Sequence, residues 1–224
     1  MEHEQASDGT GPRSEQIIGP QEQGMLRDAK RVGNAVVAVG MGRQAYLRGA
    51  IGEWRRIDQE ILDPGGDVLN ITGFNAVAGR NADDLHACGF RGEIWHWDGR
   101  RWKQEDSPTN VILHAMEIAA DGTRFAAGQL GVLMRWRDNS WEVIQHESVS
   151  DDIWSLVWYN GRLFGTTEHS IFVLDPDDTL STVWEGPAGS CLHLSAGRGA
   201  LWSFGQTRAA WTVDVLTWTE APLP

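Results

Sequence analysis

What most constrains this chain is a repeat of about 40 residues. The stretches AVVAVGMGRQAYLRGAIGEW (35–54), DLHACGFRGEIWHWDGRRW (84–102) and TRFAAGQLGVLMRWRDNSW (123–141) share one plan. Each has an apolar strand, Gly-x-x-Gly or Gly-x-Gly, a second alternating strand, a polar turn and a tryptophan. The key glycines are Gly40, Gly89 and Gly128, and the closing tryptophans are Trp54, Trp102 and Trp141. Two weaker copies carry Gly165 with Trp184 and Gly205 with Trp218. Short strands and tight turns at this period are what a four-stranded propeller blade requires. In the third unit the four strands read VILHAMEIAA, TRFAAGQ, VLMRWR and SWEVIQ. Asp121-Gly122, Asp138-Asn139, Asp98-Gly99 and Asn160-Gly161 supply hairpin turns where the pattern needs them. The alternation of Ile94 and His96 with Trp95 and Trp97 has period two, as strands do.

Five units fill residues 25–224, so the expected fold is all-β: a five-bladed β-propeller with four antiparallel strands per blade. Twelve tryptophans fit this plan, because a blade is apolar on both faces. Residues 1–24 read as a polar N-terminal tail, disordered over its first dozen residues or so. Ser14 to Gly19 is the stretch expected to add a strand to the last blade and close the ring.

The run from Gly89 to Trp102, G-x-x-G-x-I-x-x-W-D-G-x-x-W, resembles bacterial propeller repeats of the sialidase-repeat and photosystem-assembly-factor type. The resemblance covers most of residues 25–218 at the level of the blade pattern. Trp97-Asp98-Gly99-Arg100-Arg101-Trp102 lacks the hydroxyl residue of a sialidase Asp-box, so the likeness implies a turn and not an active site. The near-identical repeats of tachylectin-like five-bladed lectins are absent.

Charge narrows the function. With 19 Lys and Arg against 31 Asp and Glu, the formal charge is −12, so phosphate backbones and anionic lipid are disfavoured partners. The sequence therefore predicts no nucleic acid and no membrane as partner. The N-terminus has no charged-then-apolar signal pattern, and two cysteines, Cys88 and Cys191, suit a reducing compartment. The expectation is a cytoplasmic protein.

In a propeller, the connections between blades and the turns joining the second strand to the third share one face. Here the inter-blade connections contain Asp58, Glu60, Asp63, Asp67, Glu105, Asp106, Glu147, Asp151, Asp152 and Glu185, and no Lys or Arg. Converging loops of one sign speed capture of a cationic partner. The turn tips bring Met41, Arg43, Phe90, Arg91, Gln129, Leu130, Glu168, His169, Gln206 and Arg208 to the same face. Phe90 and Leu130 are expected to be exposed there, and an exposed aromatic beside Arg91 has the composition of an interface anchor. Aligning the first strands pairs Leu26-Arg27, Phe74-Asn75, Leu113-His114, Trp154-Ser155 and Leu192-His193. The apolar member should wedge between blades. The polar members Arg27, Asn75, His114, Ser155 and His193 should ring the channel. Trp154 is the one tryptophan expected to offer a face to a ligand.

No H-E-x-x-H, C-x-x-C or nucleophile elbow occurs, and the sequence specifies no metal or cofactor. Asp175, Asp177 and Asp178 read as turn chemistry rather than a calcium loop. The leading expectation is a non-catalytic propeller whose acidic face, with Asp151, Asp152 and His169 in it, grips a basic protein. In character it is similar to immunity proteins that neutralise a cognate toxin. A carbohydrate or small-ligand binder is the alternative. An enzyme, a hydrolase or lyase using His114 and His193 at the channel mouth, stands third.

Overall fold

The computed structural model describes residues 15, 17, 24–63 and 71–221. They form five antiparallel sheets of four strands each, every sheet built from consecutive strands. The first blade is Leu26–Val32, Ala35–Gly40, Ala45–Ala50 and Glu53–Arg56 (β1 to β4). The second is Phe74–Asn81, Asp84–Gly89, Ile94–Trp97 and Trp102–Glu105 (β5 to β8). The third is Leu113–Ile118, Arg124–Gly128, Leu133–Arg137 and Ser140–Val143 (β9 to β12). The fourth is Ser155–Tyr159, Arg162–Thr166, Ser170–Leu174 and Leu180–Glu185 (β13 to β16). The fifth is His193–Gly197, Ala200–Phe204, Ala209–Thr212 and Thr219–Ala221 (β17 to β20). The protein is the expected five-bladed β-propeller. No helix of the described residues is long and apolar enough to cross a membrane.

The hairpins form where the sequence allows a left-handed backbone. Asp138 and Asn139 have φ of 51° and 64°, and Asn160 and Gly161 have 48° and 77°. Both pairs suit the primed turns that match the strand twist. The Gly-x-x-Gly turn between the second and third strands has a different cause. A Cβ on Gly128 would stand 2.0 Å from the Ile112 carbonyl oxygen, where the blade's own first strand begins. A Cβ on Gly131 would stand 2.1 Å from the Val149 carbonyl oxygen, on the connection to the next blade. Gly89 and Gly92 meet Gly73 and Thr109 in the same way. The fourth blade departs from the expected placement. Its turn is closed by Thr167, whose N–H donates to Ser170 O at 3.0 Å as Gly128 N–H does to Val132 O at 3.0 Å. Gly165 instead lies inside β14, where a Cβ would meet the Phe172 ring at 2.3 Å.

Buried apolar clusters fill four seams between neighbouring blades. Val37, Leu47, Phe74 and Leu85 join blades one and two. Cys88, Ile94, Met134 and Trp141 join two and three. Phe125, Leu133, Leu156 and Phe172 join three and four, and Phe164, Val173 and Leu201 join four and five. Among the described residues no such cluster crosses from the fifth blade to the first. Two of the closing tryptophans add polar ties to the preceding blade: Trp102 Nε1 donates to Ile57 O at 2.9 Å and Trp141 Nε1 to Glu105 Oε2 at 2.8 Å. Trp54 of the first blade makes the corresponding bond to Glu15 Oε2, 3.1 Å away. Glu15 also accepts from Gly52 N–H and the Arg48 guanidinium, which hold its carboxyl down to about 2. Glu15 thus serves the first blade as the preceding blade serves the second and third. Of the tail 1–24 and the expected strand at 14–19, all but Glu15, Ile17 and Gly24 lie outside the described residues. The fifth blade takes its four strands from residues 193–221.

Gly131→Ala should cost about 3 kcal/mol or more, because a left-handed backbone and a steric clash add together. Gly161→Ala, at φ of 77° with nothing within 4 Å of the new Cβ, should cost only about 1 kcal/mol. Denaturant midpoints measure both, and equal losses would contradict the role assigned to the Gly131 contact.

Candidate functional site

Backbone bonds tie the turns to the inter-blade connections and so define one face. Asp63 N–H donates to Gly42 O at 2.9 Å, Phe90 N–H to Gly73 O at 3.2 Å, and Ile153 N–H to Gly128 O at 2.9 Å. The third position of the Gly-x-x-Gly turn must adopt a left-handed backbone to make these contacts. Arg91 and Leu130 occupy it at φ of 59° and 57°; in the first blade Gly42 stands there at 64° and Arg43 follows it at 60°. That backbone throws the side chain outward. Leu130 is 72% exposed, and Asp152 Oδ1 accepts its N–H at 3.0 Å.

The expected rim residues separate into three groups. Glu60, Asp106, Glu147 and Asp151 are exposed. Asp63, Asp152 and His169 are half-buried, with His169 Nδ1 3.6 Å from Asp151 Oδ2. Glu105 is mostly covered and bound to Trp141. Asp58 is no rim residue at all: it is fully buried, accepts Ala45 N–H at 3.0 Å and pairs with Arg56 at 2.8 Å. Its carboxylate ends β3 and β4 instead of facing solvent, and burying that charge requires those partners. Asp67 lies outside the described residues. Phe90 is also a correction. It is half-buried, with the Arg27 guanidinium 5.6 Å from its ring centre, because the turn folds it toward the channel. Arg91 is exposed as expected.

Two of the basic turn residues reach across to a neighbouring blade. Arg43 donates to Glu93 Oε2 at 2.8 Å and lies 5.3 Å over Trp95. Arg208 lies 4.1 Å over Trp184 and donates to Glu220 at 3.0 Å.

The five channel residues do converge. Arg27, Asn75, His114, Ser155 and His193 line one cavity of about 160 Å³. Arg27 Nε donates to Asn75 Oδ1 at 3.1 Å, Asn75 Nδ2 to Leu113 O at 2.9 Å, and Leu194 N–H to Ser155 Oγ at 3.1 Å. Phe74 and Leu113 wedge between blades as expected, whereas Trp154 does not. It stands 36% exposed at the mouth, stacked on His114 with centroids 4.4 Å apart. Leu130, Asp152, His114 and Trp154 thus make a continuous wall, apolar at its crest, with Asp151 next to Asp152 in the chain. The sequence pointed to each of these residues, but their contiguity comes from the bond between Asp152 and the Leu130 amide.

His114 and His193 line the cavity, but a group of three metal-type donors among the described residues occurs elsewhere, at Asp84, His86 and His96. Sequence reasoning passed over it because these residues read only as an alternating strand pair. Burial pushes the His114 imidazole below its usual value, Arg27 adds to this, and Asp152 at 3.8 Å pulls the other way.

No family model matches the chain. The immune protein Tsi7 of Pseudomonas aeruginosa is 36% identical over 211 residues, covering 93% of this chain and 67% of that protein. Among solved structures, a virginiamycin B lyase from Staphylococcus aureus superposes with a TM-score of 0.59 at 10% identity, over 85% of this chain and 78% of the lyase. YCF48 bound to D1 peptide gives 0.61 at 16% identity, over 87% and 66%. At such identities these two establish the fold alone.

Because the folded state keeps His114 neutral, the unfolded chain binds the extra proton below about pH 6.5. Stability should therefore fall as pH drops from about 6.5 toward the depressed folded value, with no contribution above it. His114→Phe, which can still stack on Trp154, should lose less melting temperature between pH 7.5 and 5.5 than the parent protein; parallel thermal melts decide this.

Proposed function

The chain belongs to the family of the immune protein Tsi7, and from that premise we propose that it is an immunity protein, a non-catalytic propeller that binds and silences a cognate toxin. The observation that carries this is the family membership over 93% of the chain. The mouth supplies the means of binding. Leu130 and Trp154 offer apolar area beside Glu147, Asp151 and Asp152, which suits a partner with an apolar anchor set among Lys and Arg. The channel cavity of about 160 Å³ is smaller than the roughly 300–1,000 Å³ of ordinary small-molecule pockets. It matches one inserted side chain, with Asn75, His114 and Ser155 as hydrogen-bonding walls. We place the partner in the cytoplasm and describe it as a basic protein domain.

The direct test is survival. Cells expressing the cognate toxin should live only when this protein is co-expressed, and Leu130→Asp combined with Trp154→Ala should remove protection while the variant still melts as a folded protein. Protection that survives both substitutions would move the binding surface elsewhere.

With the purified pair, Glu147→Lys with Asp151→Lys should slow association by about tenfold and flatten its salt dependence, since rim charges act on the on-rate. Leu130→Ala should act on dissociation, raising it about tenfold. Surface plasmon resonance at two ionic strengths separates the two effects, and salt-independent association would contradict the charge argument.

A further inference from the structure

Away from the mouth, the second blade holds a side chain that the repeat does not ask for. The residue closing each turn is Gly40, Gly89, Gly128, Thr167 or Gly205. Three residues before it stand Val37, His86, Phe125, Phe164 and Trp202. Their directly paired partners on the third strand are Leu47, His96, Arg135, Val173 and Trp211. Four blades place an apolar residue at this second-strand position, and Val37, Phe125 and Phe164 face the next blade from it. The second blade alone places a histidine, fully buried, against another histidine.

The environment of His86 is not that of a satisfied core histidine. Neither ring nitrogen has a hydrogen-bond partner. Nδ1 faces Asp84 Oδ1 at 3.9 Å and Nε2 faces Glu105 Oε1 at 3.8 Å. Both neighbours are carboxylates, which only accept. A neutral imidazole donates from one nitrogen and presents a lone pair at the other, so one nitrogen must point its lone pair at an anion. A cation between His86 and Asp84 resolves this conflict.

We propose that Asp84, His86 and His96 form a binding site for a borderline divalent metal ion of the Zn²⁺ type, with Asp84 Oδ1, His86 Nδ1 and His96 Nε2 as its ligands. The topology is suited to this. Asp84 and His86 are two apart on β6 and so share a face. His96 on β7 lies directly opposite His86, the two rings stacked with centroids 4.3 Å apart. Tetrahedral zinc with ligand distances of about 2.0–2.1 Å sets donors roughly 3.3 Å apart. His96 Nε2 and Asp84 Oδ1 are 3.0 Å apart, and all three donors lie within 4.8 Å of one another. Closing the triangle requires the His96 ring to turn out of its stack on His86 and the Asp84 carboxylate to approach His86 Nδ1 by about 0.5 Å, and both His96 and Asp84 are partly exposed. Imidazole with carboxylate selects zinc, nickel or copper over magnesium or calcium.

The surrounding residues complete the arrangement. With Nδ1 on the metal, Nε2–H of His86 points at Glu105, giving the carboxylate–histidine–metal order that fixes ring orientation. Glu105 is itself held by Trp141 Nε1 at 2.8 Å, with Arg124 3.9 Å away. Arg80, 3.9 Å from Asp84 and more than half exposed, neutralises that carboxylate in the metal's absence and can swing into solvent when a dication enters. The exposed edge of His96 is the entry path, and water takes the fourth position. The bound ion would lock β6 to β7 at the seam with the third blade.

The test uses the full chain, stripped with a chelator and titrated with Zn²⁺ by calorimetry and thermal melting. Parent protein should bind one equivalent at this site, rise in melting temperature by about 5 °C or more in excess metal, and give a tetrahedral Co²⁺ visible spectrum. His96→Gln, at the surface end of the site, should lose that equivalent and the Co²⁺ band while its metal-free melting temperature stays within about 1 °C of the parent. His86→Phe, which restores the residue type of the third and fourth blades, should also lose the metal. The proposal is overturned if excess Zn²⁺ leaves the parent's melting temperature unchanged, or if His96→Gln binds with the same stoichiometry and affinity as the parent.

Discussion

The propeller depends on backbone meeting backbone at the turn between the second and third strands. At Gly128 the turn presses on the start of its own blade at Ile112, and at Gly131 it presses on the connection into the next blade at Val149. Neither contact tolerates a Cβ. Each turn is therefore a joint that fixes one blade's angle to the next, and the apolar seams fill the wedge that the joint defines. The indole ties from Trp102 and Trp141 act toward the preceding blade, so a blade is held on both sides by bonds that side-chain packing alone would not orient.

This explains how much the sequence could reveal. A glycine required by a clash recurs at four of the five turns and a tryptophan closes every unit, and both are visible as a period. Strand number, blade number and hairpin turns follow from them. What the repeat does not control was harder to read. Thr167 closes the fourth turn because its side chain helps, with Thr167 Oγ1 accepting Ser170 N–H at 3.0 Å, and no glycine is needed to mark the place. Asp58 and Glu60 are alike in sequence, yet one is fully buried under Arg56 and the other is exposed. Only the path of the chain after β4 distinguishes them. Phe90 turns inward because Arg27, distant in sequence, receives its ring.

His86 belongs to the same lesson from the opposite side. A polar residue alternating with apolar ones on a strand reads as solvent-facing, but a propeller strand has no solvent face in its interior blades. Polar residues at seam positions must find partners in a neighbouring blade, and their character is set by what they meet. In the third blade the paired Arg135 reaches Asp178 at 2.7 Å and Glu142 at 2.9 Å. In the second blade His86 meets only acceptors, and that mismatch was invisible until Glu105 and Asp84 were placed on either side of it.

The joint also accounts for how such a fold suits recognition. In the second and third blades the turn that clamps the blades requires a left-handed residue at its third position, and Arg91 and Leu130 there both lie exposed. The two fill equivalent places with quite different chemistry. The backbone demand costs of order 1 kcal/mol at each site, and in return each of these blades presents one side chain whose nature the fold leaves open. An immunity protein must match one toxin and refuse others, so its contacts must change while its scaffold does not. Residues obliged by geometry to project, yet released from any packing duty, are where such change is least constrained. Leu130 shows the limiting case: an aliphatic side chain 72% in water, in a strained backbone, contributes nothing to the isolated propeller. Burial against a partner is the physical circumstance that would give it a favourable role.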